Sequence, residues 1–138
     1  MLWASTIFGA SSDSGSFPRS SRLIAPFLHW LFPGMSADHV HFAVIIARKC
    51  AHLTEFAIFA CLVWNAIRRP LWKDTRPWSW REATEALWFA ALYASTDEFH
   101  QTFVPSREGC LRDVGIDTCG AAVGLLLLWA FGRWRKFW

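Results

Sequence analysis

The chain has 138 residues, 54% of them hydrophobic and 18% charged, with a mean hydropathy of +0.22 and a formal net charge of +3. A soluble domain of that length usually carries about 25% charged residues, so the composition disfavours an ordinary soluble enzyme, a disordered chain and a nucleic-acid arm. Ten Trp and twelve Phe in so short a chain point instead to the aromatic belts of membrane–water interfaces.

In chain order, Met1–Ala10 is apolar but too short to cross a bilayer, and it lacks the basic start and cleavage site of a signal peptide. It reads as a short or truncated N-terminal helix. Ser11–Ser20 is rich in Ser and Gly and reads as a flexible loop. Arg22–Phe32 is apolar and aromatic, but Pro26 and its length make it a surface-lying segment rather than a span. Pro33-Gly34 breaks the chain, and Ser36 or Asp38 can cap a helix that begins near Ala37.

Three apolar runs follow: Phe56–Ile67, Ala86–Thr96 and Thr118–Gly132. At about 1.5 Å per residue each covers only roughly 17–22 Å of a hydrocarbon layer about 30 Å thick. Each therefore spans only if a charged flank enters the bilayer, giving spans at about residues 42–67, 83–103 and 112–132. A soluble bundle is the rival reading, but there are too few exposed-type residues to coat three helices. The expected fold is an all-α, small multi-pass membrane bundle with three full spans. Cys50, Cys61, Cys110 and Cys119 have no CxxC or paired-ligand spacing, and those in apolar stretches read as small apolar residues.

Arg68, Arg69, Lys73, Arg76 and Arg81 crowd the connection between the first two spans, and Arg133, Arg135 and Lys136 follow the third. A basic excess marks the cytoplasmic side, and three alternating helices put both clusters there, C-terminus included. Trp64, Trp72, Trp78, Trp80 and Trp88, with Trp129, Trp134 and Trp138, would form an aromatic belt at that face. The basic clusters are then topology anchors, and no nucleic-acid partner is expected.

The opposite, outer end gathers the remaining charge. Lys49, His52 and Glu55 open one helix, Asp97, Glu98, His100 and Gln101 close the next, and Asp113 and Asp117 open the last. The loop Phe103–Arg112, with Arg107 and Arg112, joins two of them. Ions at membrane depth are costly, so these groups should face one another, water or a ligand. Asp113, Asp117, Gly120 and Gly124 share a helical stripe, and the glycines let a neighbouring backbone come close beneath the carboxylates. Glu98 points roughly 100° away from Asp97, so the two acids should address different neighbours.

The motifs Arg48-Lys49-x-x-His52-x-x-Glu55-Phe56, Tyr93-x-x-Thr96-Asp97-Glu98-x-His100-Gln101, Phe103-x-Pro105-x-Arg107 and Asp113-x-x-x-Asp117-x-x-Gly120 resemble the VanZ-like family, named after a bacterial teicoplanin-resistance protein. The resemblance runs from about Ser11 to Leu128. It implies a multi-pass protein of the bacterial cell membrane, associated in some members with glycopeptide resistance, and supplies no mechanism. Relatives usually have a full first helix before a Ser-rich turn, Tyr where Phe56 stands, and Gly where Ser106 stands.

Several readings of the outer cluster stay open. A charge network that only fixes helix register is the simplest, but five acids, three bases, two His and a Gln exceed what register needs. A binding site for a lipid or cell-wall-precursor headgroup, or for the glycopeptide itself, is the first functional reading. Lys49 and Arg107 would hold phosphate or carboxylate, while Glu55, Asp97, Glu98, Asp113 and Asp117, with His52, His100 and Gln101, would meet an amine or hydroxyls. The second is a metal-assisted hydrolase or transferase acting on a lipid-anchored substrate. There His52, Glu55, Asp97 and His100 would hold a divalent ion, Glu98 would serve as general base and Asp117 is the other catalytic candidate. No HExxH signature supports it. Proton-coupled transport is a third reading, and three helices would need homo-oligomerisation for it.

Overall fold

The computed structural model describes residues 17–68, 76–103 and 110–138. Within them the chain forms four helices: α1 (Phe17–Leu31), α2 (Ala37–Arg68), α3 (Trp80–Gln101) and α4 (Leu111–Trp134). The expected helix within Met1–Ala10 lies outside the described residues, as do Ser11–Ser16 of the expected loop.

The rest of that loop is helical. α1 begins at Phe17 and keeps Pro26 inside it. Its apolar positions Phe17, Ile24, Leu28 and Leu31 follow helical spacing through the Ser-rich stretch, and Pro18 is tolerated in a first turn that has no amide partner to lose. α2 starts at Ala37 as expected, with the Ser36 hydroxyl accepting from the His39 amide at 3.4 Å. It is one helix of 32 residues, about 48 Å long, so Lys49, His52 and Glu55 lie in its middle rather than at its opening. No Pro or Gly interrupts Ala37–Arg68, and the buried positions change face along the helix: Val40 and Val44 lie on one side, and Phe56, Ala60 and Trp64 lie roughly opposite, toward the bundle core.

α2, α3 and α4 form an up–down–up bundle in which each touches the other two. α3 is built for close approach. Ala83, Ala86, Ala90 and Ala94 form a buried seam at helical spacing, and Ser79 caps the helix by accepting from the Glu82 amide. The seam continues into Asp97 and Gln101, also buried, so the face that packs alanine at one end carries polar groups at the other.

α2 and α4 are long and apolar enough to cross a membrane, yet only 17% and 28% of their apolar windows are buried inside the protein. A soluble core helix would be mostly enclosed. Here Phe42, Ile58, Leu62, Leu126, Leu127 and Phe131 stand on the outside, a surface suited to lipid. α3 has the length, but Arg81, Glu82, Glu85, Asp97 and Glu98 keep it from ranking with them by composition.

The expected aromatic belt is partly an interior cluster. Trp64 and Trp78 stack with ring centroids 4.9 Å apart, and Trp138 folds back to within 5.8 Å of Trp64 and 5.3 Å of Trp78. Trp80, Trp88 and Trp134 are exposed, whereas Trp72 lies outside the described residues.

Candidate functional site

α2 and α4 run parallel, and the glycine stripe sets their separation. A Cβ on Gly120 would stand 2.5 Å from the Leu53 carbonyl oxygen, and one on Gly124 would stand 2.6 Å from that of Ala57. No side chain fits there, so backbone meets backbone, as the sequence stripe indicates. One turn beyond this contact, toward the α4 N-terminus, the polar residues assemble.

The Lys49 ammonium pairs with Asp113 Oδ1. His52 Nδ1 lies 3.6 Å from Asp117 Oδ1. From α3, Gln101 Nε2 donates to Asp97 Oδ2 at 3.0 Å and to Glu98 Oε1 at 3.2 Å. Glu98 Oε2 accepts from the Cys110 amide at 2.9 Å, so a carboxylate of α3 satisfies the first donor of α4, where Cys110 provides no side-chain cap. Asp97, Glu98, Gln101 and Asp117 are all buried. Asp97 and Glu98 therefore share one neighbour, because Gln101 sits three and four residues on and its amide reaches both, while Glu98 also addresses the Cys110 amide.

Asp117 is the centre of the arrangement. It is 1% exposed, and its Oδ2 has no hydrogen-bond partner among the described residues. Buried carboxylate oxygens are normally satisfied, and an orphan one marks a place where a donor is expected. Lys49 is already engaged with Asp113, and the described part of the cluster also holds the buried acids Asp97, Glu98 and Asp117.

Of the other expected site residues, Glu55 and His100 are half-buried, and Arg112 is exposed in the first turn of α4. Arg107 and Ser106 lie outside the described residues. Among the described residues no three His, Cys, Asp or Glu side chains come together in a way that could hold a metal ion, so the alternative set of His52, Glu55, Asp97 and His100 gains no support. His52 and Glu55 on α2 and Asp97 and His100 on α3 are i, i+3 pairs, but the carboxylates of α3 turn to Gln101 and the Cys110 amide instead.

A family model described as VanZ/LLP1 matches residues 1–132, wider at both ends than the stretch that carries the motifs. The chain belongs to the VanZ/LLP1 family. No curated protein and no solved structure matches it. In this VanZ/LLP1 family member the motif residues from α2, α3 and α4 meet at one end of the bundle, around Asp117.

In the sequence Arg68 is one of the basic residues read as topology anchors. The structure buries it to 4% exposure at the other end of the bundle. Its guanidinium donates to the carbonyls of Pro77 (3.2 Å) and Arg76 (2.5 Å) and pairs with Glu82 (3.3 Å), between the rings of Trp64 and Trp138. Arg76 returns a bond to the Arg68 carbonyl at 2.7 Å. The usable signal was Trp64 four residues before Arg68, one turn away on the same face.

Proposed function

We propose that this VanZ/LLP1 family member is a bacterial multi-pass membrane protein whose acid-rich end recognises a lipid or cell-wall-precursor headgroup, and that it contributes in this way to glycopeptide resistance. The observation that carries the reading is the buried Oδ2 of Asp117, which has no hydrogen-bond partner among the described residues, in a cluster that also holds Asp97, Glu98 and Asp113. An ammonium or a sugar hydroxyl donating to that oxygen would satisfy it, and the ammonium would also offset its charge. Arg107, in the connection from α3 to α4, would meet the phosphate of a zwitterionic head bidentately. In this reading α3 crosses the bilayer with α2 and α4. The basic connection from α2 to α3 and the basic tail face the cytoplasm, and the acid-rich end faces outward.

The reading is tested by growing a susceptible bacterial host on teicoplanin with and without the gene, and by identifying lipids retained by the purified protein. Raised tolerance with one retained lipid or lipid-linked precursor is the expected result. Unchanged tolerance together with no retained lipid overturns it.

A further inference from the structure

The apolar exterior does not stop at the acid-rich end. Leu111, two residues ahead of Asp113 on α4, is 90% exposed, and Phe99 and Phe103, flanking Gln101, are exposed as well. On α2 the exposed residues Phe42, Ile45 and Ile46 precede Lys49, so bare apolar surface continues past the level of the charges. Such side chains are stable in hydrocarbon and costly in water.

α1 supplies a depth marker. The short connection Phe32–Ser36 lays it along the first turns of α2, where Val40 and Val44 are buried. Among its described side chains, Phe27, Trp30 and Leu31 are exposed on one side, and Arg22 and His29 are exposed on the other. A helix with one apolar and one basic face lies in the headgroup layer, aromatics down and cations up.

We infer that the acid-rich site lies beneath the headgroup layer, inside the apolar part of the bilayer, and that its ligand is a membrane-dissolved amphiphile with an ammonium head rather than a water-soluble solute. The ammonium follows from the Asp117 Oδ2 that lacks a partner among the described residues, and the lipid source follows from Leu111, Phe99 and Phe103 around the site. This rests on the headgroup reading above and selects among its ligands. It excludes the free glycopeptide.

Depth is read on the unmodified chain in phosphatidylcholine nanodiscs, which leave both faces open to a charged methanethiosulfonate. Cys50 and Cys110 are exposed on the protein's own surface and flank the site. Both are expected to stay unmodified until sodium dodecyl sulfate is added. Ligand class is read by native mass spectrometry after offering phosphatidylethanolamine, phosphatidylglycerol or water-soluble phosphoethanolamine. One phosphatidylethanolamine adduct is expected, retained by Asp117→Glu, lost in Asp117→Asn, and not displaced by phosphoethanolamine. Cys110 reacting as fast in nanodiscs as in the denaturant overturns the inference while a lipid adduct leaves the headgroup reading standing. Displacement by phosphoethanolamine has the same meaning. Protected thiols with no lipid adduct of any kind overturn the headgroup reading, and this inference with it.

Discussion

Gly120 and Leu53 are in backbone contact: a methyl group on Gly120 would lie 2.5 Å from the Leu53 carbonyl oxygen and 2.8 Å from its Cα. Real Cβ contacts are never so short, so Gly120→Ala must push α4 away from α2, and Gly124→Ala against Ala57 must do the same. Each is expected to destabilise by about 1–3 kcal/mol, the range for overpacking a tight site. Gly115→Ala on the same helix is the control. Nothing lies within 4 Å of a Cβ there, so helix propensity alone should stabilise it by about 0.5–1 kcal/mol. Thermal unfolding in one detergent checks both signs. Equal effects at Gly115 and Gly120 would contradict the packing.

The Lys49–Asp113 pair joins α2 to α4 just beyond that contact. Removing one partner leaves the other half-buried and unpaired, whereas removing both leaves neither. Lys49→Met and Asp113→Asn should therefore each cost more than expected from an exposed pair, and the double variant should cost less than their sum. A coupling of about 0.5–3 kcal/mol is expected for side chains in contact. A double-mutant cycle on the same unfolding measurement decides it, and additive effects would show that the pair contributes nothing to stability.

The stripe and the gathering of charge behind these two relationships were legible in the sequence, though not their partners, because helical periodicity and the cost of ions in hydrocarbon act locally. Asp113, Asp117, Gly120 and Gly124 fall on one stripe whatever surrounds them. What the chain did not disclose depends on contacts between helices. The position of Lys49 mid-helix follows from a buried face that Val40 and Val44 keep beneath α1. The bonds of Asp97 and Glu98 to Gln101, and of Glu98 to the Cys110 amide, depend on the side-chain rotamers of α3 and on where α4 begins. The burial of Arg68 was not legible because Arg beside a basic loop normally faces water, and here Trp64, Glu82 and the fold-back of Trp138 enclose it.

Arg68 offers the sharpest contrast on the same chain. Arg68→Ala leaves Glu82 without its partner and the Arg76 and Pro77 carbonyls without donors, and it empties the space between two indoles. A loss at the lower end of about 3–5 kcal/mol is expected, since Glu82 keeps some access to solvent. Arg68→Lys should recover only part of it, because an ammonium cannot serve three acceptors in a plane. Arg81→Ala breaks a pair with Glu85 in which the arginine is 88% exposed, and should change stability by no more than about 0.5 kcal/mol. Urea or thermal melts of the three variants check the order, and an Arg81 effect equal to that of Arg68 would refute it.

Orientation is open to a direct measurement. With the native cysteines replaced, a thiol introduced at Ser79, next to Arg76 and Arg81, should resist a membrane-impermeant maleimide applied to intact cells. A thiol at Ser106, in the opposite connection, should react. The reverse pattern would place the basic clusters outside and move the acid-rich end to the cytoplasmic leaflet, against the bias that positive loops impose.

The decisive substitution for the site is Asp117→Asn. Asparagine keeps the size of the side chain and an oxygen for the His52 contact, so the helix packing around Gly120 should survive and the protein should accumulate normally. It removes the charge and turns one oxygen into an amide that donates, so a donor on the ligand meets another donor. Tolerance to teicoplanin and retention of lipid should both be lost, as strongly as when a buried charged partner is withdrawn, about 1.5–3 kcal/mol or roughly ten- to a hundredfold in affinity. Asp117→Leu should differ in kind. It fills the site with an apolar group that cannot answer His52, so it too abolishes binding, but its stability should match or exceed that of the native chain if Asp117 is strained by its unmet oxygen. Immunoblots, melting curves and lipid retention on the same preparations separate the two effects. An Asp117→Asn protein that fails to accumulate would return Asp117 to the role of a register-fixing carboxylate.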